Sequence, residues 1–234
     1  MRQGSAWEVA YRVGRAAASC AGGDNAERNA MHGTSPLEVA FATTILAEVG
    51  GLPDGGFNER DAASDPGGAT KYGISIRAHR DDIGDRDGDG DIDADDVRLL
   101  TIDDARNLFE RDYWLPCRCP AMPPALAVLV ADCAYNSGAR RAVTLLQQSC
   151  NAIRTQGGKA YFSPPLAEDG VVGPATIAAA GRTPLTALLL EYQAQRMLFM
   201  ASLANWSANR KGWTRRVMRL LAVSLTLGGR DGLA

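Results

Sequence analysis

Apolar positions recur along most of this chain at the three- and four-residue spacing of a helical face, and start and stop signals separate the runs. The first run opens at "SPLE", where Ser35 is a cap, Pro36 takes the first helical position and Glu38 completes a capping box. Leu37, Phe41, Thr44 and Ile45 then share one face, and Gly50-Gly51 stops the helix near Glu48–Val49. A polar, turn-rich stretch follows to Ser75, with turn signals at Pro53-Asp54-Gly55 and Asp65-Pro66-Gly67-Gly68, and predicts a small hairpin or irregular sheet. "TIDD" at Thr101 caps a second helix that runs to about Trp114. "PPALAVLVADCAYNSG" predicts a buried helix ending at Asn136-Ser137-Gly138, and "ARRAVTLLQQSC" an amphipathic one. Pro174 enters a further helix. Thr183-Pro184 opens the longest, to about Asn209, and a basic helix follows from about Gly212. The pattern predicts a mainly α fold of α+β type: a helical bundle with one small β-hairpin after the first helix.

Length and composition narrow the picture. With 234 residues and 46% hydrophobic content, the chain can bury a substantial core. Residues 1–34, an alanine-rich stretch followed by "GGDNAERNAMHGT", are expected to form an extension. Residues 35–120 are expected to form the first part of the fold, and 121–234 a helical C-terminal part packed on it. Glu8, Arg12 and Arg15 interrupt the N-terminal apolar pattern, so it does not predict a signal peptide. No apolar run is long enough for a membrane span, so no stable insertion is expected. The five cysteines have no regular spacing, and Cys133 and Cys150 sit in helical apolar patterns as buried thiols. Neither His32 nor His79 lies in a nucleophile motif. The net charge of -2 hides an asymmetry: Asp81–Asp96 holds nine Asp and one Arg, while 24 basic and 18 acidic residues lie elsewhere. A basic body of this kind suits a polyanionic partner such as cell wall.

Glu48 is the candidate with chemistry. At a helix C-terminus, unpaired carbonyls disfavour an ionised carboxylate by about 0.3–1 kcal/mol, and partial burial raises its pKa further. A general acid that must hold its proton near neutral pH needs this environment. The glycine-rich stretch then reads as a cleft wall, with Asp65, Thr70 and Tyr72 offering polar groups toward Glu48. The plainer reading is a solvated glutamate beside a turn, and spacing alone leaves both open.

The stretch resembles the glycoside hydrolase family 108 muramidases of the lysozyme superfamily, in which a helix ending in E-G-G precedes D-P-G-G-x-T-x-Y-G-I-T. The matching residues are Glu48, Gly50, Gly51, Asp65, Pro66, Gly67, Gly68, Thr70, Tyr72, Gly73 and Ile74, with Ser75 in place of the last Thr. Val49 separates Glu48 from the paired glycines, and extra residues precede Asp65. The resemblance continues in "RDYW" (Arg111–Trp114), in Asp132, Ala134 and Asn136–Gly138, in "LLQ" (Leu145–Gln147) and in "GWTRRV" (Gly212–Val217). "DGVVGPATIAA" resembles the family's peptidoglycan-binding-like region. The resemblance implies hydrolysis of the β-1,4 bond between N-acetylmuramic acid and N-acetylglucosamine, with Glu48 protonating the leaving oxygen and Asp65 and Thr70 orienting water. One acid and one water-holding carboxylate imply inversion, at a separation of ~6.5–9.5 Å. Tyr72 would stack on a sugar or fill the hairpin core, and Asn136 would line the opposite wall or end its helix. A lytic transglycosylase and a non-catalytic wall-binding or adaptor protein are the alternatives. The expected partner is bacterial peptidoglycan, without nucleic acid, acted on by a monomer. Without a signal peptide, the expected route is synthesis in the bacterial cytoplasm and action in the periplasm or wall after holin-like or other export.

The acidic segment "DRDGDGDIDADD" (Asp85–Asp96) has the register of an EF-hand loop, with oxygen donors at positions 1, 3, 5, 7, 9 and 12 and Gly90 at the sharp turn. Asp85, Asp87, Asp89, Asp91, Asp93 and Asp96 are the expected ligands of one structural Ca²⁺. Asp96, in place of the usual Glu, reaches less far. Catalysis is expected to need no cofactor.

Overall fold

The computed structural model describes residues 34–49, 55–59, 68–156 and 158–228; the side chains at 46–48, 156 and 159 lie outside that description. The predicted extension, Gly50-Gly51 and Asp65 therefore fall outside it, apart from Thr34.

Helix α1 spans Pro36–Val49. Its cap is half of the predicted box: the Glu38 N–H donates to Ser35 Oγ at 3.2 Å, while the Glu38 carboxylate meets Arg106 Nε at 2.5 Å. The predicted face of Leu37, Phe41, Thr44 and Ile45 is buried. Strands β1 (Thr70–Lys71) and β2 (Ile74–Ser75) form the expected hairpin, pairing Thr70 with Ser75 and Lys71 with Ile74. Its two-residue turn, Tyr72-Gly73, has positive φ at both positions, the backbone that matches strand twist. Asn58 bridges to the other side of Thr70.

Helix α2 (Ile76–Ile83) and helix α3 (Ala94–Leu99) flank the acidic loop, and Asp93 with Asp96 forms a capping box for α3. Helix α4 (Ile102–Phe109) carries the predicted Thr101 cap, with Asp104 returning a bond to the Thr101 N–H at 2.8 Å. It continues to Trp114 as expected, but Glu110–Trp114 widen into a π-type turn. Helix α5 (Pro124–Ser137) is buried from Ala125 to Ala134 and packs on α1, on α6 (Ala139–Ala152), and on α8 (Leu185–Ala201) and α9 (Trp206–Leu227). An apolar run without a polar face requires this central position. Helix α7 (Pro174–Arg182) starts at the predicted proline.

Two expectations are corrected. The helix opened at Pro184 ends at Ala201, not Asn209, and α9 is the longest, with 22 residues against 17. From Ala201 to Arg216 no residue is buried, so nothing extends the α8 face, and the Ser202 hydroxyl turns back to donate to the Phe199 carbonyl at 2.7 Å. The exposed Gly212 is carried inside α9, where its cost of roughly 1 kcal/mol is outweighed by burial of Val217, Leu220 and Val223 further along. A second hairpin, β3 (Thr155–Gln156) with β4 (Lys159–Ala160), also joins the one expected. Its sequence signal was the Gly-Gly pair in "TQGGKA". Cys117, Cys119, Cys133 and Cys150 are buried free thiols, and burial pushes Cys150 up to about 12, so it is a poor nucleophile.

Candidate functional site

Three pieces of backbone converge where α1 ends. Val49, the last residue of α1, packs against Gly56: a Cβ there would lie 3.2 Å from that of Val49. The Tyr72 N–H donates to the Gly55 carbonyl at 2.8 Å, and the Tyr72 ring occupies the space a side chain on Gly55 would need. Tyr135, in the last turn of α5, donates its hydroxyl to the Tyr72 carbonyl at 3.2 Å. The ends of α1 and α5 and the turn of the β1–β2 hairpin are thus tied together, with Glu48 next to last in α1.

The predicted site residues take different places in this frame. The Glu48 side chain and all of Asp65 lie outside the described residues. Thr70 stands in β1, its hydroxyl donating to the Gly68 carbonyl at 3.1 Å, which leaves oxygen lone pairs to accept a bond. Tyr72 packs its ring against the core below the hairpin, with the Lys71 ammonium 5.4 Å from the ring centroid. Asn136 donates its amide to the Asp132 carbonyl one turn back in α5, at 2.8 Å.

Glycine is required at the hairpin turn. At Gly73, φ is +76° and an added Cβ would meet the Tyr135 hydroxyl at 1.9 Å. Gly73→Ala is expected to expel that hydroxyl and strain the turn, at about 1–3 kcal/mol, whereas Tyr135→Phe should cost about 1 kcal/mol. Urea denaturation of both variants measures the difference. Equal costs would mean that the turn relaxes freely.

Sequence reading missed what holds α1 in place. Asp132 is fully buried in α5 and binds Arg196 Nη2 of α8 at 2.7 Å and Arg216 Nη2 of α9 at 2.5 Å. The Thr44 hydroxyl, one turn before Glu48, donates to Asp132 Oδ1 at 3.2 Å. Burial alone would raise the Asp132 pKa, but the Arg216 and Arg196 cations outweigh it and hold the carboxyl below its ordinary value. The signal was legible: an acidic residue within "ALAVLVADCAY" must have a partner once that run is buried. An aromatic cluster completes the support. Phe41 and Phe109 are 5.8 Å apart, and Tyr113 meets Tyr135 edge-on at 5.0 Å. The π-type turn that carries Tyr113 is tied to α2 by a two-pronged bond from Arg111 to Asp82.

The acidic loop forms a tight set of carboxylates. Oxygens of Asp85, Asp87 and Asp96 lie within 4.8 Å of one another, as do those of Asp91, Asp93 and Asp96. Asp96, only 1% exposed, accepts N–H bonds from Arg86, Asp93 and Asp87, which lower its pKa. The Asp89 N–H lowers Asp87, but desolvation and the carboxylates of Asp89, Asp96 and Asp85 win and move it up. The Asp89 carboxylate, then desolvation, moves Asp91 up. Gly90 sits at φ +99°, as the loop register demands. The nearby His79, Asp82 and Asp112 also cluster, but Arg111 already pairs with both carboxylates.

A groove of about 390 Å³ lies elsewhere, between α7 and the loop at 162–171, with Gln147 of α6 at its floor. The Gln147 amide binds Asp169 Oδ1 at 2.9 Å and the Val171 carbonyl at 3.0 Å, and its oxygen accepts the Gly170 N–H. The "LLQ" and "DGVVGP" motifs therefore meet as one structural unit.

Residues 50–138 match the family model described as Glycosyl hydrolase 108. That range takes in Asp65, Thr70, Tyr72, Asn136 and the acidic loop, and begins two residues after Glu48. Among solved structures, the chain is similar to one titled "Structure of Brucella abortus SagA", with 26% sequence identity and a TM-score of 0.62, over 83% of this chain and 98% of that one. No curated protein matches the sequence. The fold is the mainly helical, lysozyme-like α+β kind that the sequence predicted, and the family match supports a glycoside hydrolase.

Proposed function

We propose that the chain is a peptidoglycan hydrolase of the muramidase type, cleaving the β-1,4 bond between N-acetylmuramic acid and N-acetylglucosamine. The observation that carries this reading is the convergence of the α1 end with the β1–β2 hairpin, the hairpin lying inside the stretch similar to glycosyl hydrolase 108, which begins just after α1. In the proposed mechanism Glu48 protonates the leaving oxygen, while Asp65 and Thr70 hold the attacking water on the opposite face, which inverts the anomeric centre. The carbonyl end of α1 disfavours an ionised Glu48 and so favours the acid form. Bracing by Asp132 through Thr44 keeps that end from shifting, and a misplaced acid loses rate steeply. The groove beside α7 gives the wall polymer a second contact. The enzyme works on the wall side of the membrane after a holin-like or other export step. Mass spectrometry of digested peptidoglycan tests the reading. Reducing muramic acid ends are expected; 1,6-anhydro ends would instead show a transglycosylase, and no new fragments would show a binding protein.

One structural Ca²⁺ is part of the proposal. The donor set fits a hard cation: oxygen atoms only, with carboxylates grouped in two sets that share Asp96. Asp85, Asp87, Asp89, Asp93 and Asp96 would hold it with the Asp91 carbonyl, and its chemistry there is charge neutralisation. In calcium-free protein, the raised Asp87 and Asp91 values mean that stability falls as pH rises through their folded pKa values. Calcium is expected to reverse that loss and stabilise the fold by about 2.7 kcal/mol at a hundredfold excess over Kd. A calcium titration of metal-stripped protein, followed by melting temperature, measures it. Asp85→Ala with Asp89→Ala should abolish the response, and a flat titration of the unaltered chain would leave the loop an acidic surface.

A further inference from the structure

Among the described residues, several cations of this protein are paired. Arg86, Arg98, Arg106 and Arg111 each meet a carboxylate, and Arg196 and Arg216 share Asp132. Arg210, Lys211, Arg215 and Arg219 of α9 are exposed and, among the described residues, join no ion pair. No Asp or Glu occurs from 192 to 230. Lys211, Arg215 and Arg219 follow one another at four-residue spacing, so they form one stripe on the solvent side of the helix, opposite the buried Val217, Leu220 and Ser224. Like charges at that spacing repel, and nothing described on the protein compensates them.

Apolar side chains continue the same stripe. Met218 and Leu225 stand seven and fourteen residues after Lys211, on its flank, and are 52% and 38% exposed. Trp206 and Trp213, which pair at 6.1 Å, lie on the other face, in line with the buried Leu220. No helix of the described residues is long and apolar enough to cross a membrane. We propose that the outer stripe of α9 docks the protein on an anionic lipid bilayer, lying in the plane of the headgroups. Phosphates neutralise Lys211, Arg215 and Arg219, while Met218 and Leu225 enter the acyl boundary. A soluble polyanion would satisfy the cations alone and leave the two apolar side chains in water, which is why the lipid surface is the better match.

Vesicle flotation with the full chain tests this independently of any hydrolytic activity. Binding is expected to phosphatidylethanolamine vesicles containing phosphatidylglycerol, and not to phosphatidylcholine vesicles. Lys211→Gln with Arg215→Gln and Arg219→Gln should weaken it by about a hundredfold. Met218→Ser with Leu225→Ser should weaken vesicle binding and leave binding to soluble polyphosphate unchanged. All substituted residues are exposed, and unchanged circular dichroism would show that the helix persists. No binding to the anionic vesicles would overturn the proposal. So would vesicle binding indifferent to the Met218 and Leu225 changes, which would mark the stripe as a site for soluble polyanions.

Discussion

Glu48→Gln is expected to lower the rate of wall hydrolysis by at least about 10²–10⁴-fold while leaving the melting temperature close to that of the parent chain. The amide keeps the size of the carboxyl group but has no proton to give to the leaving oxygen. Stability should hold because a residue at the exit of α1 adds little to the core formed by Phe41, Ile45 and Val49. Replacing a protonated acid by an amide removes no charge at the helix C-terminus, where an anion would be disfavoured. Turnover of purified peptidoglycan, measured beside a melting curve, separates the outcomes. A folded Glu48→Gln protein that hydrolyses at the parental rate would remove Glu48 from the mechanism. Asp65→Asn is the companion measurement: a fall in kcat with little change in KM is expected from a group that orients water.

Asp132→Ala is expected to have the largest effect on stability. It leaves Arg196 buried without its counter-ion, next to a partly buried Arg216 that has lost the same carboxylate. Breaking a buried pair from one side typically costs about 3–5 kcal/mol, because the stranded charge keeps its desolvation penalty. In a chain of this size that is a fall in melting temperature on the order of 10 °C. Two of the Arg196 nitrogens, Nε and Nη1, already lack a protein partner, so little slack remains to absorb the change. The depressed Asp132 pKa gives the pH dependence: its contribution is present above the unfolded carboxyl value and is lost as pH falls through the lower, folded one. Thermal melts across acid pH should therefore show a steeper loss for the parent than for Asp132→Ala. Parallel curves would mean that the triad contributes nothing net. Activity should fall alongside stability, because Thr44 ties the same carboxylate to the turn that carries Glu48.

Helix starts were legible because they depend on neighbours a few residues apart. Ser35 before Pro36, Thr101 before Asp104, and Pro174 after Gly173 each place local donors, acceptors or a fixed φ at a helix start. The β1–β2 hairpin was expected in the stretch up to Ser75 from its turn-rich composition, but its turn falls at Tyr72-Gly73 and not at either marked turn signal. Helix ends without a strong signal were not legible. The break after Ala201 depends on where the core stops offering a surface to α8, and no local residue type announces that.

The candidate site divides along the same line. Sequence by itself determined which residues are proposed to carry chemistry: the acid at the helix end, the glycine-rich wall and the register of aspartates from Asp85 to Asp96. These are matters of residue type and short spacing, and residue type sets which protons and lone pairs exist. Only the tertiary structure decided what supports them. It spent the Asn136 amide on its own helix, packed the Tyr72 ring against the core, and brought Thr44, Asp132, Arg196 and Arg216 together from four helices. Such partners are separated by 64 to 88 positions along the chain. Short-range pattern records that a buried carboxylate needs compensating charge, but which cations supply it follows from how helices pack around α5, which that pattern does not record.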